Sequence, residues 1–313
     1  LNTVLEHIGI NTAQSVSKIG IVYYKPYLYQ HHLGINEQFP YVIDLVAQNL
    51  NPLGQDLMNM KYDYSVVDLE SPEALIDKDL YFVPIAEYMS ENAQTNIVEA
   101  VRGGKNVVLF GLMPKMNDKF KPCKILSKEL GISTTSSWSP CSVTWEKTDL
   151  RAVRYGFISP SGTSKTTVKC GKKIVGACKK VGKGYVYLFT FDISPKFDPV
   201  RLNLLRSIFE QLKIDTPVST SDPTVDLVAQ VNDRGVILYM VNTDIMFTAP
   251  NSDFTKKVVV SVDLAQLGIR SAKIKMYDVL DDEILDFTSR ELREGVVFSV
   301  GYHDARIFYI PKK

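Results

Sequence analysis

Cysteine, histidine and tryptophan are scarce in this chain of 313 residues, with four, four and two copies. The cysteines are Cys123, Cys141, Cys170 and Cys178. No C-x-x-C pair occurs and no cysteine–histidine cluster has zinc spacing, so no metal is expected. Sparse cysteine in a chain this long fits free thiols in a reducing compartment, which reads as cytoplasmic. The one disulfide weighed is Cys170–Cys178, across a hairpin. The histidines His7, His31, His32 and His303 form no H-E-x-x-H motif. An excess of one charge is lacking too. Thirty-six Lys and Arg stand against 35 Asp and Glu, a formal net charge of +1. That balance excludes nucleic-acid binding driven by overall charge. No apolar run approaches the ~18 residues of a membrane span, and no signal-peptide pattern opens the chain. The first residue is Leu, which reads as a fragment, a processed product or a trimmed chain.

What is present is ordinary globular material, 45% hydrophobic and 23% charged. The length suggests two domains. Residues 2–15 read as a short helix. Ile19–Tyr24 reads as an apolar strand ended by Pro26, and Phe39–Leu50 as a helix. A second strand covers Tyr64–Leu69. Ser71 and Pro72 start a short helix as N-cap and first turn. A third strand, Leu80–Val83, stops at Pro84. The next helix runs from Ser90 to Arg102 and ends at Gly103-Gly104. Asn106–Phe110 is a fourth strand, and Pro122–Leu130 a helix closed by Gly131. Strands alternating with helices mean a parallel sheet with both faces covered, a doubly wound α/β domain.

From about 141 to 193 the pattern changes to short strands at hairpin spacing, an antiparallel extension of the sheet. An amphipathic helix over 199–212 closes this first domain, 1–216. A Pro/Ser/Thr-rich linker follows. Residues 217–313 hold seven short strands with turn signals between them, the pattern of a small all-β sandwich.

Chemistry is sought first beyond the carboxyl ends of the parallel strands, where open α/β sheets bind ligands. Those ends bring Tyr24, Tyr27, Tyr29, His31 and His32 after strand one, then Asp68 and Glu70. Glu87 and Tyr88 follow strand three; Met113, Lys115 and Asp118 follow strand four. Neither G-x-G-x-x-G nor a P-loop is present, so a nucleotide cofactor is not expected. No Ser or Cys stands in a nucleophile elbow. Cys123 near a helix start reads as a core thiol. Adjacent His31 and His32 point in different directions, which disfavours one shared ion. The tyrosines suit either stacking on a sugar or packing, and packing is the commoner role. Asp281-Asp-Glu283 and Glu291/Glu294 read as solvated charge. The basic hairpin 166–178 reads as a lysine-protected edge. No catalytic residue is assigned. Tyr24, Tyr27, His31, Glu87, Tyr88 and Met113 are the candidate ligand contacts.

The run Tyr81–Ser90, then Gln94, Val101-Arg-Gly-Gly104, Val107–Gly111, Met113-Pro and Asp118 resembles the middle domain of β-galactosidase-like glycoside hydrolases of families 35 and 42. Val236–Asn242 is similar to the first strands of the sandwich that follows there. The resemblance implies a class I glutamine-amidotransferase-like, flavodoxin-like sheet, the trimerisation domain of family 42, followed by a C-terminal β-sandwich. Active amidotransferases carry a nucleophilic Cys in G-x-C-x-G at the place held here by Leu112 or Met113, so glutaminase chemistry is lost. The family's catalytic glutamates belong to a TIM barrel of ~250 residues, which does not fit here beside the two domains. The resemblance therefore implies a non-catalytic accessory and oligomerisation portion. Its partners would be a TIM-barrel domain in the same or a separate chain, further copies of itself, and a sugar. Neither nucleic acid nor membrane is expected as a partner. A stand-alone carbohydrate-binding protein and an uncharacterised enzyme with a strand-end crevice are the alternatives.

Overall fold

The computed structural model describes residues 2–28, 51–71, 73–145, 148–160, 165–191, 199–243, 255–301 and 304–312. The helix expected over 39–50, together with Tyr29, His31, His32 and His303, lies outside the described residues. The chain divides into two compact units. One comprises residues 18–60 and 64–214, and the other residues 1–17, 61–63 and 215–313.

The first elements are α1 (Asn2–His7), a 3-10 turn (Ile10–Thr12) and β1 (Gln14–Ser15). The single helix expected over 2–15 is thus broken. Gly9, at φ 72°, takes the left-handed conformation that ends a helix at little cost. Gln14 and Ser15 then pair antiparallel with Val231 and Gln230. Asn232 fixes this attachment. Its Nδ2 donates to the carbonyls of Ile8 at 2.8 Å and Gly9 at 2.9 Å. Residues 1–17 therefore belong with the β-rich unit, not with the α/β domain 1–216 that the sequence suggests.

The α/β unit runs through β2 (Ile19–Tyr23), α2 (Lys25–Leu28), helical residues 51–59 (α3), β3 (Ser65–Asp68), β4 (Leu80–Ile85), α4 (Glu91–Gly103), β5 (Asn106–Gly111) and α5 (Ile125–Leu130). Four strands follow: β6 (Ile132–Trp145), β7 (Thr148–Pro160), β8 (Lys165–Cys170) and β9 (Lys173–Val181). Then β10 (Gly184–Phe189) and α6 (Pro199–Leu212) complete it. One nine-stranded sheet results, in the order β3-β2-β4-β5-β10-β9-β8-β6-β7. The first five strands are parallel neighbours and the remaining ladders antiparallel. Every residue of β4 is buried, as expected of a strand covered on both faces.

Three local expectations are corrected. The strand expected to stop at Pro84 continues to Ile85. The β2 ladder has already ended at Phe82, while the β5 ladder runs on to Ile85. The Ile85 carbonyl accepts from Leu112 N on the β5 side, so Pro84 turns its missing N–H to the vacated β2 side. Ser71 starts no helix; the described residues that follow it are turns. The helix expected from Pro122 begins at Ile125. Helix α4 has the capping its sequence suggests. Ser90 Oγ accepts from Ala93 N, and Gly104 closes it at φ 116°.

The β-rich unit continues with β11 (Val218–Thr220), β12 (Val225–Val231), β13 (Gly235–Asn242), β14 (Thr255–Val262), β15 (Lys273–Asp278), β16 (Glu283–Thr288), α7 (Ser289–Glu294), β17 (Val296–Gly301) and β18 (Ala305–Pro311). Its sheets run β1-β12-β13-β18-β15-β16 and β11-β14-β17. They enclose one core, with Leu238 and Met240 from the first sheet and Val258, Val260 and Val300 from the second. Helix α7 was not expected. Thr288 and Glu291 form a reciprocal capping box, so Glu291 is a cap and not half of a carboxylate pair. Asp281 lies in the exposed turn the sequence suggests, and there it accepts from Arg306 at 2.8 Å. Arg306 also holds the buried Asp278.

The cysteines correct the sequence reading as well. Cys170 is disulfide-bonded, while Cys123 and Cys178 are free and buried. The Cys170–Cys178 pairing is therefore excluded, and uniformly free thiols do not hold. In denaturant without reductant, maleimide should label Cys123 and Cys178 but not Cys170. Peptide mapping checks this. Gly184 supports the sheet at the start of β10. A Cβ there would stand 2.1 Å from the Lys105 carbonyl oxygen and 2.7 Å from that of Val101. Gly184→Ala should lower stability by about 2 kcal/mol, the scale of overpacking against backbone, measured by urea unfolding.

Candidate functional site

In the parallel strand order, the turn of direction lies between β2 and β4, the place where such sheets open a crevice. Here tyrosines fill it. Tyr24 follows β2, Tyr27 lies on α2, and Tyr88 follows β4. All three are buried. The Tyr24 and Tyr27 rings meet edge to face with centroids 4.6 Å apart, and Tyr27 and Tyr88 do the same at 5.3 Å. Phe120 extends the row, 5.6 Å from Tyr88. Edge-to-face rings of this kind add to the gain from burial.

The phenol oxygens are committed to backbone. Tyr27 Oη accepts from Ala86 N at 2.8 Å and donates to the Tyr88 carbonyl at 2.9 Å. It thereby pins both ends of the loop leaving β4. Tyr24 Oη accepts from Ser90 N at 2.9 Å, next to the cap of α4. Burial raises the Tyr24 pKa above its ordinary value, and the Ser90 hydrogen bonds offset part of that. Burial raises Tyr88 further, with a smaller contribution from Tyr24. These groups stay protonated and neutral through the physiological range.

The other candidates are placed as follows. Met113 is buried, and its N–H donates to Thr134 Oγ1 at 2.9 Å. Glu87 is half-buried and accepts from Lys115 Nζ at 2.8 Å. Asp68 accepts from Glu70 N, which is a local turn contact. Asp118 is exposed. His31 lies outside the described residues. The structure thus brings Tyr24, Tyr27 and Tyr88 together, with Glu87 beside them in the chain, and commits Met113 elsewhere.

Gln94, which the sequence marks only as part of a motif, has a structural role here. It is fully buried. Its Nε2 donates to the Met89 carbonyl at 2.8 Å and lies 3.4 Å from Cys123 Sγ, while its Oε1 accepts from Leu126 N at 3.1 Å. One amide thereby ties α4 to the loop after β4 and to α5. The signal was a polar residue on the stripe of Ile97, Val98 and Val101. Cys123 is spent in this clip, and Leu112 and Met113 after β5 are buried apolar side chains. Among the described residues, no group of three or more His, Cys, Asp or Glu is placed to hold a metal. Among them, too, no helix is long and apolar enough to cross a membrane.

The fold, an α/β unit and a β-rich unit, is shared with glycosidases of known structure. A family model described as "GLMA-like, second domain" matches residues 35–161. A β-1,2-glucosyltransferase of Ignavibacterium album is 23% identical over 244 residues, covering 72% of this chain and 34% of that protein. An exo-β-D-glucosaminidase of Pyrococcus horikoshii is 20% identical over 185 residues, 54% of this chain and 22% of that protein. This chain therefore spans about a third and about a fifth of the lengths of these curated relatives. Among solved structures, a catalytic mutant of Gan42B, a GH42 β-galactosidase from G. stearothermophilus, superposes with a TM-score of 0.65 at 12% identity. That match covers 94% of this chain and 40% of the galactosidase. At this identity it establishes a shared fold. The resemblance read from residues 80–131 is met by these relationships.

Tyr27→Phe removes one hydroxyl and with it the hydrogen bonds that hydroxyl makes to the Ala86 N–H and the Tyr88 carbonyl. Urea unfolding should register a loss of about 1–3 kcal/mol. The raised tyrosine pKa values also fix an alkaline trend. From about pH 10 upward the unfolded chain loses phenolic protons that the folded chain keeps. The unfolded state then binds fewer protons, so stability should fall as pH rises towards the folded pKa values. Below pH 10 these groups should leave stability unchanged. Unfolding followed against pH, with phenolate absorbance as the titration signal, checks both.

Proposed function

We propose that this chain is the non-catalytic accessory portion of a β-galactosidase-like glycoside hydrolase. Its chemistry is carried by a TIM-barrel domain in the same or a separate chain. The observation that supports this best is the tyrosine packing at the switch point. The crevice a flavodoxin-like sheet uses for ligands is occupied by Tyr24, Tyr27 and Tyr88. The parallel run β3-β2-β4-β5-β10 has the strand order 2-1-3-4-5 of that fold. The position of an amidotransferase elbow holds Leu112 and Met113, which offer no nucleophile. Such a domain is left with surfaces and not a reaction centre, so we assign it packing against the barrel and against further copies of itself. Glu87, half-buried and held by Lys115, is the switch-point carboxylate we assign to the edge of a neighbouring sugar pocket. The disulfide at Cys170 fits an oxidising compartment better than a reducing, cytoplasmic one.

The purified chain should release no nitrophenol from 4-nitrophenyl β-D-galactoside above the buffer rate, and native mass spectrometry should find an oligomer. Turnover that disappears in Glu87→Gln would overturn the non-catalytic assignment. A monomer at all concentrations tested would remove the oligomerisation role.

A further inference from the structure

The β-rich unit has a groove that none of this explains. Strands β15 and β18 are neighbours, but they pair only at Tyr277–Tyr309 and Asp278–Phe308. Continuing that register would set Met276 opposite Ile310 and Lys275 opposite Pro311. Instead these stretches part and border a groove of about 350 Å³. The cause is local. Lys312 N donates to the Arg234 carbonyl on the β13 side, and the Ile307 carbonyl accepts from Val279 N on the β15 side. Backbone groups alternate along a strand, so residue 311 faces β15. Proline has no N–H to offer there, and the ladder ends. The same alternation turns the N–H and C=O of Lys275 into the gap.

The groove has one sign of charge. Arg270, Lys273, Lys275 and Lys312 line it, and no carboxylate is among its lining residues. Asp286, opposite Lys275 on β16, lies outside the lining. Arg270, Lys273 and Lys275 are exposed. Lys312 Nζ is held by the Asn232 carbonyl at 2.8 Å, which keeps its charge at the rim. At the closed end the Tyr277 ring is partly exposed and backed by Tyr309, with centroids 6.3 Å apart. Concave shape, a positively charged lining, a backbone N–H turned into the gap and a ring face meet at one place.

We propose that this groove binds an anionic saccharide. Its carboxylate, sulfate or phosphate lies among Arg270, Lys273 and Lys275, and a sugar ring stacks on Tyr277. The volume is at the small end of ligand pockets, which favours one or two sugar units over a long polymer segment. An acidic peptide would need only the charge. A saccharide also uses the ring.

The test is calorimetric titration of the full chain with trigalacturonic acid, galactotriose and hexaglutamate in parallel. Trigalacturonic acid should bind saturably and weaken as salt is raised, with the neutral trisaccharide about tenfold weaker or more. Lys275→Glu should cost about tenfold or more, and Tyr277→Ala roughly fivefold for trigalacturonic acid with no effect on hexaglutamate. Pro311→Val restores the missing N–H, so it should extend the ladder, close the groove and abolish binding while leaving the melting temperature equal or higher. Absence of saturable trigalacturonate binding would overturn the proposal. So would hexaglutamate binding equally well, or Pro311→Val binding unchanged. None of these outcomes bears on the accessory role of the α/β unit.

Discussion

One phenol oxygen sets the character of the α/β unit. Tyr27 Oη is buried, accepts from Ala86 N and donates to the Tyr88 carbonyl. Both partners belong to the loop that leaves β4, where an open sheet of this kind would expose a ligand site. A hydroxyl in that position replaces the water or ligand those backbone groups would otherwise need. Tyr24 repeats the arrangement one step away, through Ser90 at the start of α4. The result is a switch point satisfied from within. Gln94 extends the same logic on the other side of the loop, where one amide meets the needs of Met89 and Leu126.

This arrangement explains how the switch point of an open sheet is closed by packing. A buried backbone group without a partner costs on the order of 1–3 kcal/mol, so opening the crevice would release several such costs together. The aromatic contacts from Tyr24 through Tyr27 and Tyr88 to Phe120 add to the barrier. The fold is shared with a galactosidase at only 12% identity. Its shape is kept by packing, and many sequences pack the same way.

Much of the fold was legible, because apolar runs and capping signals are local. The parallel strands read as continuous apolar stretches, and Ser90 with Gly104 marked α4 correctly. What failed depended on partners distant in sequence. Pro84 looked like a strand end because its missing N–H seemed intolerable, yet the ladder on that side had already stopped. Residues 14–15 carry no strand signal of their own; they are strand because β12 offers an edge. The capping box at Thr288 and Glu291 was readable, but its glutamate was set aside as surface charge. At the candidate site, the tyrosines and their neighbourhood were legible from strand order. Their hydrogen bonds were not, since Tyr27 and Ala86 are joined across 59 positions of sequence. The split between β15 and β18 was likewise hidden, because one proline matters only beside a particular partner.

The most direct measurement is hydrogen exchange at the Ala86 amide, read by NMR with and without a saturating sugar such as galactose. A closed, internally satisfied switch point predicts slow exchange, comparable to the amides of β4, and no change on adding the sugar. Fast exchange at Ala86, or a sugar-dependent shift of the Ala86 and Tyr88 signals, would mean that the crevice opens and binds. That result would contradict the account of this unit as a structural module.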